Sequence, residues 1–198
     1  MREYVGSRLP TFSAAQRAAL IGSIDVLSLN HYSTHLVRAA ADGEAGDTSC
    51  GWMADQKLYV SFAPEWPQAA SPWQHANPAG IRLLLQWAAR RWHGDLYITE
   101  NGWSCHSMDA EAAAHDHQQT EYFAGYTAQV ARAIREGLPV KAYFAWSLYD
   151  NYEWADGYSK RFGCVHRAVG SGEGSGCRQW RAERRGERRC EWCPHVPP

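Results

Sequence analysis

Residues 95–103 read DLYITENGW. Leu96-Tyr97-Ile98-Thr99 is a short run of strand-favouring side chains, bounded upstream by Gly94 and Asp95, and it ends on Glu100 followed at once by Asn101-Gly102. Aromatic and β-branched residues in so short a run argue for a buried strand, and Asn-Gly is turn chemistry. The stretch therefore places one carboxylate where a buried strand meets a turn. Whether that carboxylate works or merely faces solvent depends on what the flanking segments bring to the same end.

Reading outward, AGIRLLLQWAARRWH (79–93) is an amphipathic helix with Ile81, Leu84, Leu85 and Ala88 on one face. DHQQTEYFAGYTAQVARAIREG (116–137) is a second long helix, closed by Gly137. SIDVLSLNHYST (23–34) reads as a strand, and LPVKAYFAWSLYDNYEW (138–154) as another that runs into a polar and aromatic loop. Ser13 is the expected N-cap of an opening helix, SAAQRAAL. Residues 39–57 and PEWPQAASPWQHANP (64–78, with four prolines) read as long loops. The order after the first helix is strand, helix, strand, helix, strand, with crossovers long enough for parallel pairing. In a β/α barrel, reactive groups sit at the C-terminal ends of the strands. The three strands here end on Asn30 and Tyr32, on Glu100, and on Trp146.

These segments together resemble glycoside hydrolase family 1, the β-glucosidase family. LYITENG is similar to its nucleophile motif, FAWSLYDNYEWADGYSKRFG to its sugar-binding segment around the eighth strand, and DVLSLNHYST to its sixth-strand motif, with His31 in place of a Tyr. RLPTFS and GIRLLLQW resemble its connecting pieces, so the likeness runs from about residue 2 to about residue 166. The fold this implies is α/β, the C-terminal part (about the last three strands) of a (β/α)8 TIM barrel. The domain division is 1–166 as partial catalytic domain and 167–198 as a tail.

The resemblance implies retaining hydrolysis of β-glucosides or related β-linked sugars, through a glycosyl-enzyme intermediate and without a cofactor or metal. Two carboxyl groups about 5–5.5 Å apart do that chemistry, one as nucleophile and the other as acid and then base. Glu100 would be the nucleophile and Tyr32 its hydrogen-bond donor. Asn30 would lie beside the catalytic centre, and Trp146 would be the stacking platform under the sugar. Glu153 and Trp154 would bind its hydroxyls, and Phe162 would be the apolar wall near its exocyclic carbon. Gln119 stands where the family has Arg, which removes an expected ion pair. The acid/base glutamate of the family lies in an Asn-Glu-Pro motif that these residues do not contain. The expectation is therefore a truncated chain, inactive by itself. The alternative is a non-catalytic sugar-binding fragment, or one half of a two-chain assembly completed by the missing N-terminal half of the barrel.

Composition sets the outer limits. With 198 residues, 45% hydrophobic, 21% charged and a formal net charge of -1, the chain offers no electrostatic reason to bind nucleic acid or an acidic membrane. No apolar window approaches a membrane span or a secretory leader, and the compartment stays open. Ten tryptophans suit either core packing or stacking on pyranose faces. The six cysteines are irregularly spaced, and CEWC (190–193) lacks a second pair to complete a zinc site, so free thiols are expected. Residues 167–198 are rich in Gly, Arg and Cys without apolar periodicity and are read as disordered or mistranslated. An RNA-binding role for them is disfavoured by the interspersed Glu residues.

Overall fold

The structure, a computed structural model, describes residues 2–41, 44, 46, 51–106 and 115–165. In chain order these form helix α1 (Arg2–Val5), helix α2 (Ala14–Leu20), strand β1 (Val26–Asn30), strand β2 (Leu36–Ala39) and helix α3 (Gly51–Gln56). Strand β3 (Leu58–Ser61), helix α4 (Pro78–Ala89), strand β4 (Asp95–Asn101) and the two-residue strand β5 (Cys105–His106) follow. Helix α5 (His117–Arg135), strand β6 (Val140–Ala145) and the two-residue strand β7 (Lys160–Arg161) complete the described elements. Short 3-10 turns lie at Gly6–Arg8 and Trp154–Asp156. The expectations for the 167–198 tail and for CEWC fall outside the described residues.

The centre is a three-stranded parallel sheet in the order β1-β4-β6, an α/β arrangement as expected for adjacent strands joined by helical crossovers. Strand β4 is the middle strand, and Leu96 and Ile98 are fully buried on one of its faces. Helix α4 lays Ile81, Leu85 and Ala88 against that face, and α5 adds Tyr122, Tyr126, Val130 and Ala133. The spacings 81-85-88 and 122-126-130-133 are those of a single helical stripe. Burying side chains such as Leu85 and Ile98 supplies about 1.5–3 kcal/mol each.

Local chemistry fixes the helix ends. Ser13 caps α2: its hydroxyl accepts from the Gln16 N–H while the Gln16 side chain accepts from the Ser13 N–H, a reciprocal box. Asp116 caps α5 by accepting from Gln119 N–H, and Gly137 closes it at φ +87°, where a side chain would be strained. Helix α2 buries no side chain, and Phe12, Leu20, Ile21 and Ile24 around it are exposed.

Two expectations are corrected. The strand read over 23–34 is confined to Val26–Asn30; Ile24 lies outside it and is exposed. Residues 39–57 are not one loop: β2 and β3 pair antiparallel from Leu36↔Ser61 to Ala39↔Leu58, with α3 between them. All four β2 residues are exposed, so the pairing leaves no apolar alternation to read. It is held instead by backbone bonds and by Arg38, whose guanidinium lies 3.9 Å from the ring of its cross-strand partner Tyr59.

Candidate active site

Strict alternation along β4 would send Glu100 to the helix side with Leu96 and Ile98. It does not go there. Against β1 the register runs Leu29↔Ile98 and then Asn30↔Glu100. Against β6 it runs Ile98↔Tyr143 and then Asn101↔Ala145. In each case β4 carries one extra residue, a bulge, and a bulge reverses which side chain faces which way. As a result Asn101 takes the buried helix side, fully enclosed, and Glu100 is delivered to the other face, half-buried.

There the Tyr32 hydroxyl donates to Glu100 Oε2 at 2.6 Å. Burial, then this hydrogen bond and the nearby charge of Glu100, hold the Tyr32 phenol well above the usual tyrosine range, so it stays a donor. The edge of the Tyr32 ring meets Phe162 (centroids 5.8 Å) and Trp73 (5.9 Å). Asn30 pairs with Glu100 in the β1–β4 register, and its Oδ1 accepts from Thr99 Oγ1 at 2.6 Å.

The third strand end contributes Trp146, half-buried, whose indole N–H points at Glu153 Oε1 at 3.5 Å. The same oxygen accepts from Asn151 Nδ2 at 2.6 Å, so Glu153 is oriented from two sides. Glu153 also acts electrostatically on Tyr32, placing it near the Glu100 end. The structure thus brings Asn30, Tyr32, Glu100, Trp146, Glu153 and Phe162 to one end of the sheet. Phe162 is buried and lines the site through the Tyr32 ring. Trp154 stands apart: it is 88% exposed at φ +44°, turned to solvent rather than packed in this cluster.

Glycine at 102 has a steric reason. A Cβ there would lie 1.8 Å from the Trp146 carbonyl oxygen, so β4 and the Trp146 loop approach closer than any side chain allows. The loop 67–76, read as irregular, is bolted behind Glu100 by Gln74. Its side chain donates to the Gly102 carbonyl and accepts from the N–H and hydroxyl of Ser104. Sequence reasoning missed Trp73, Gln74, Asn101, Tyr122 and Tyr143, because a proline-punctuated loop and a bulge carry no periodicity. Gln119 is buried without an ion pair and reaches the carbonyls of Trp103 and Phe162 at 3.4 and 3.3 Å. Among the described residues, no group of His, Cys, Asp and Glu could hold a metal, and no helix is long and apolar enough to cross a membrane.

His31, beside Tyr32, is buried with its backbone N–H donating to the Glu100 carbonyl. Burial, aided by the neighbouring His35, pushes its imidazole from 6.5 down to about 4 against the opposing backbone hydrogen bond. Between those values the unfolded chain binds a proton that the folded chain does not. The stabilising contribution is therefore complete above 6.5 and lost as pH falls to about 4. The expected loss is about 3 kcal/mol. It should be visible as a drop in the urea midpoint that is shallower in His31→Phe, where the lowered imidazole of His35 still contributes; an equally steep drop in that variant would contradict it.

A family model described as Glycosyl hydrolase family 1 matches residues 1–184. The chain is 37% identical over 177 residues to Beta-glucosidase 42 of Arabidopsis thaliana, covering 84% of this chain and 35% of that protein. It is 35% identical over 176 residues to raucaffricine-O-beta-D-glucosidase of Rauvolfia serpentina, covering 84% and 32%. Among solved structures, a rice β-glucosidase mutant in a covalent complex with Glc matches with a TM-score of 0.75 at 34% identity, over 83% of this chain and 36% of that one. A β-glucosidase of the fungus Humicola insolens in complex with glucose matches with a TM-score of 0.75 at 32% identity, over 85% and 36%. The chain spans about a third of the length of these relatives.

Proposed function

This chain belongs to glycosyl hydrolase family 1, and from that premise we propose that it carries the nucleophile side of a retaining β-glycosidase site. The observation that carries the reading is the Glu100–Tyr32 pair at the joined ends of β4 and β1. Glu100 attacks the anomeric carbon, the bond to the departing oxygen breaks, and a glycosyl ester forms. Tyr32 keeps one carboxylate oxygen hydrogen-bonded, so the other is left to attack. Trp146 offers its indole face to the sugar ring, and Glu153 accepts from the sugar hydroxyls. Asn30 completes the rim at Glu100, and Phe162 backs the Tyr32 ring. The covalent Glc complex of the rice relative and the glucose complex of the Humicola insolens relative support a glucosyl unit as the group transferred.

The three parallel strands take the place of the last three of a barrel. The acid that protonates ordinary leaving groups comes from the part of the fold these residues do not contain, and general acid catalysis contributes about 10²–10⁴-fold. Ordinary alkyl β-glucosides are therefore poor substrates for this chain alone. A dinitrophenyl β-glucoside needs no such help to depart, and azide, being an anion, needs no base to attack the ester. With both present, the chain should release β-glucosyl azide, the product of two inversions, identified by its anomeric proton coupling. An α-azide would mean direct displacement and would overturn the retaining reading.

A further inference from the structure

We infer that Asn101, Tyr122 and Tyr143 form a buried clasp that positions Glu100 and Tyr32 for nucleophilic attack. The inference rests on the nucleophile reading of Glu100 and assigns the clasp no contact with substrate.

The geometry is a closed ring. Asn101, next in chain to Glu100 and fully buried on the opposite face, donates from Nδ2 to the His31 carbonyl at 2.7 Å and to the Tyr122 hydroxyl at 2.8 Å. Its Oδ1 accepts from the Tyr143 hydroxyl at 2.6 Å. The Tyr122 hydroxyl, having accepted from Asn101, donates onward to the Tyr32 carbonyl at 3.0 Å. The Tyr32 hydroxyl returns to Glu100 at 2.6 Å. The chain of contacts therefore passes from β4 to α5, to the end of β1 and back to β4, with β6 tied in by Tyr143.

Both amide protons of Asn101 are used, and the Tyr122 hydroxyl both accepts and donates within the ring, with the Tyr126 hydroxyl as a further partner. A fully satisfied buried network of this kind specifies a single arrangement. The Tyr122 ring is independently fixed by stacking on Tyr126 (centroids 4.1 Å) and by contact with Trp103 (5.1 Å), so removing its hydroxyl need not move the ring. What the hydroxyl adds is a fixed backbone at Tyr32, and hence a fixed distance from Tyr32 to Glu100. A misplacement of about 1 Å costs on the order of 10²-fold in rate.

The test compares the full chain with Tyr122→Phe and with Thr120→Val. The Thr120 hydroxyl, on the same helix, donates to the Asp116 carbonyl at 2.8 Å, outside the ring, and its removal controls for a merely structural loss. Two quantities are read. One is the low-field proton resonance of the Tyr32 hydroxyl, identified by its absence in Tyr32→Phe. The other is the rate at which Glu100 is esterified by a dinitrophenyl β-glucoside bearing fluorine next to the anomeric carbon. In Tyr122→Phe the resonance should be lost and the maximal rate should fall about 10- to 100-fold, with little change in the half-saturating concentration. Thr120→Val should keep both at the wild-type values. Wild-type values in Tyr122→Phe, or equal losses in both variants, would overturn the clasp alone. A wild-type chain that is never esterified would overturn the nucleophile reading, and the clasp would then be fold support and nothing more.

Discussion

Glu100→Gln is expected to lower the rate of β-glucosyl azide formation from a dinitrophenyl β-glucoside by about 10⁴-fold or more, the scale seen when a nucleophile is removed from an assembled site. The substitution keeps the size and planarity of the side chain. Its oxygen still accepts from the Tyr32 hydroxyl, so the hydrogen bond that holds Glu100 at 2.6 Å has a replacement. Asn101 behind it keeps its buried partners on α5, at His31 just past β1, and on β6. What is lost is the negative oxygen able to form the ester. The fold and the affinity for sugar should change little, which separates this variant from one that unfolds. Measuring azide-product formation and glucoside binding side by side checks both halves. A loss smaller than about tenfold would place the reacting group elsewhere.

Asp150→Ala is expected to destabilise the fold by about 1.5–3 kcal/mol, the cost of losing charged hydrogen bonds from a buried carboxylate. Arg161 Nη1 lies 3.0 Å from Asp150 Oδ2, and the two side chains are only 12% and 8% exposed. Asp150 Oδ1 also accepts from the Gly163 N–H at 3.0 Å. Gly163 packs so tightly that a Cβ there would lie 2.6 Å from the Asp150 N. This pair joins β7 to the loop that begins at Trp146 and reaches Glu153, so its loss should also weaken glucoside binding while leaving Glu100 in place. Urea denaturation reads the stability. A cost below about 1 kcal/mol would mean the pair behaves like an exposed one.

The parts of the fold legible in the sequence are those where a single local pattern decides. DLYITENGW gave a strand because its apolar residues are bounded by turn chemistry, and the structure has it at Asp95–Asn101. The α4 and α5 stripes and the Ser13 and Gly137 helix ends were equally legible, since capping and helical spacing are local. The β2–β3 hairpin was not, because its strands are largely exposed and lack alternation.

At the site, residue types could be named from motif resemblance, but their arrangement could not. The bulge at β4 depends on both neighbouring strands at once, and nothing in Thr99-Glu100-Asn101 announces it. Asn101 illustrates the consequence: in the sequence it looks like a turn residue, and in the fold it is a fully buried hub. Trp73 and Gln74 reach the site from a segment without periodicity, held there by Ser104, Gly102 and Tyr32. Trp154 shows the opposite, a motif residue that the structure leaves exposed.

The central claim is that three strand ends assemble a glycosidase nucleophile at Glu100. Intact-mass measurement of this chain after exposure to the fluorine-bearing dinitrophenyl β-glucoside tests it most directly, because that reagent needs no acid to release its leaving group. The account predicts one fluoroglucosyl adduct per chain, mapped by peptide fragmentation to Glu100 and absent in Glu100→Gln. A chain that stays unlabelled while its near-ultraviolet circular dichroism shows the aromatic core intact would contradict it.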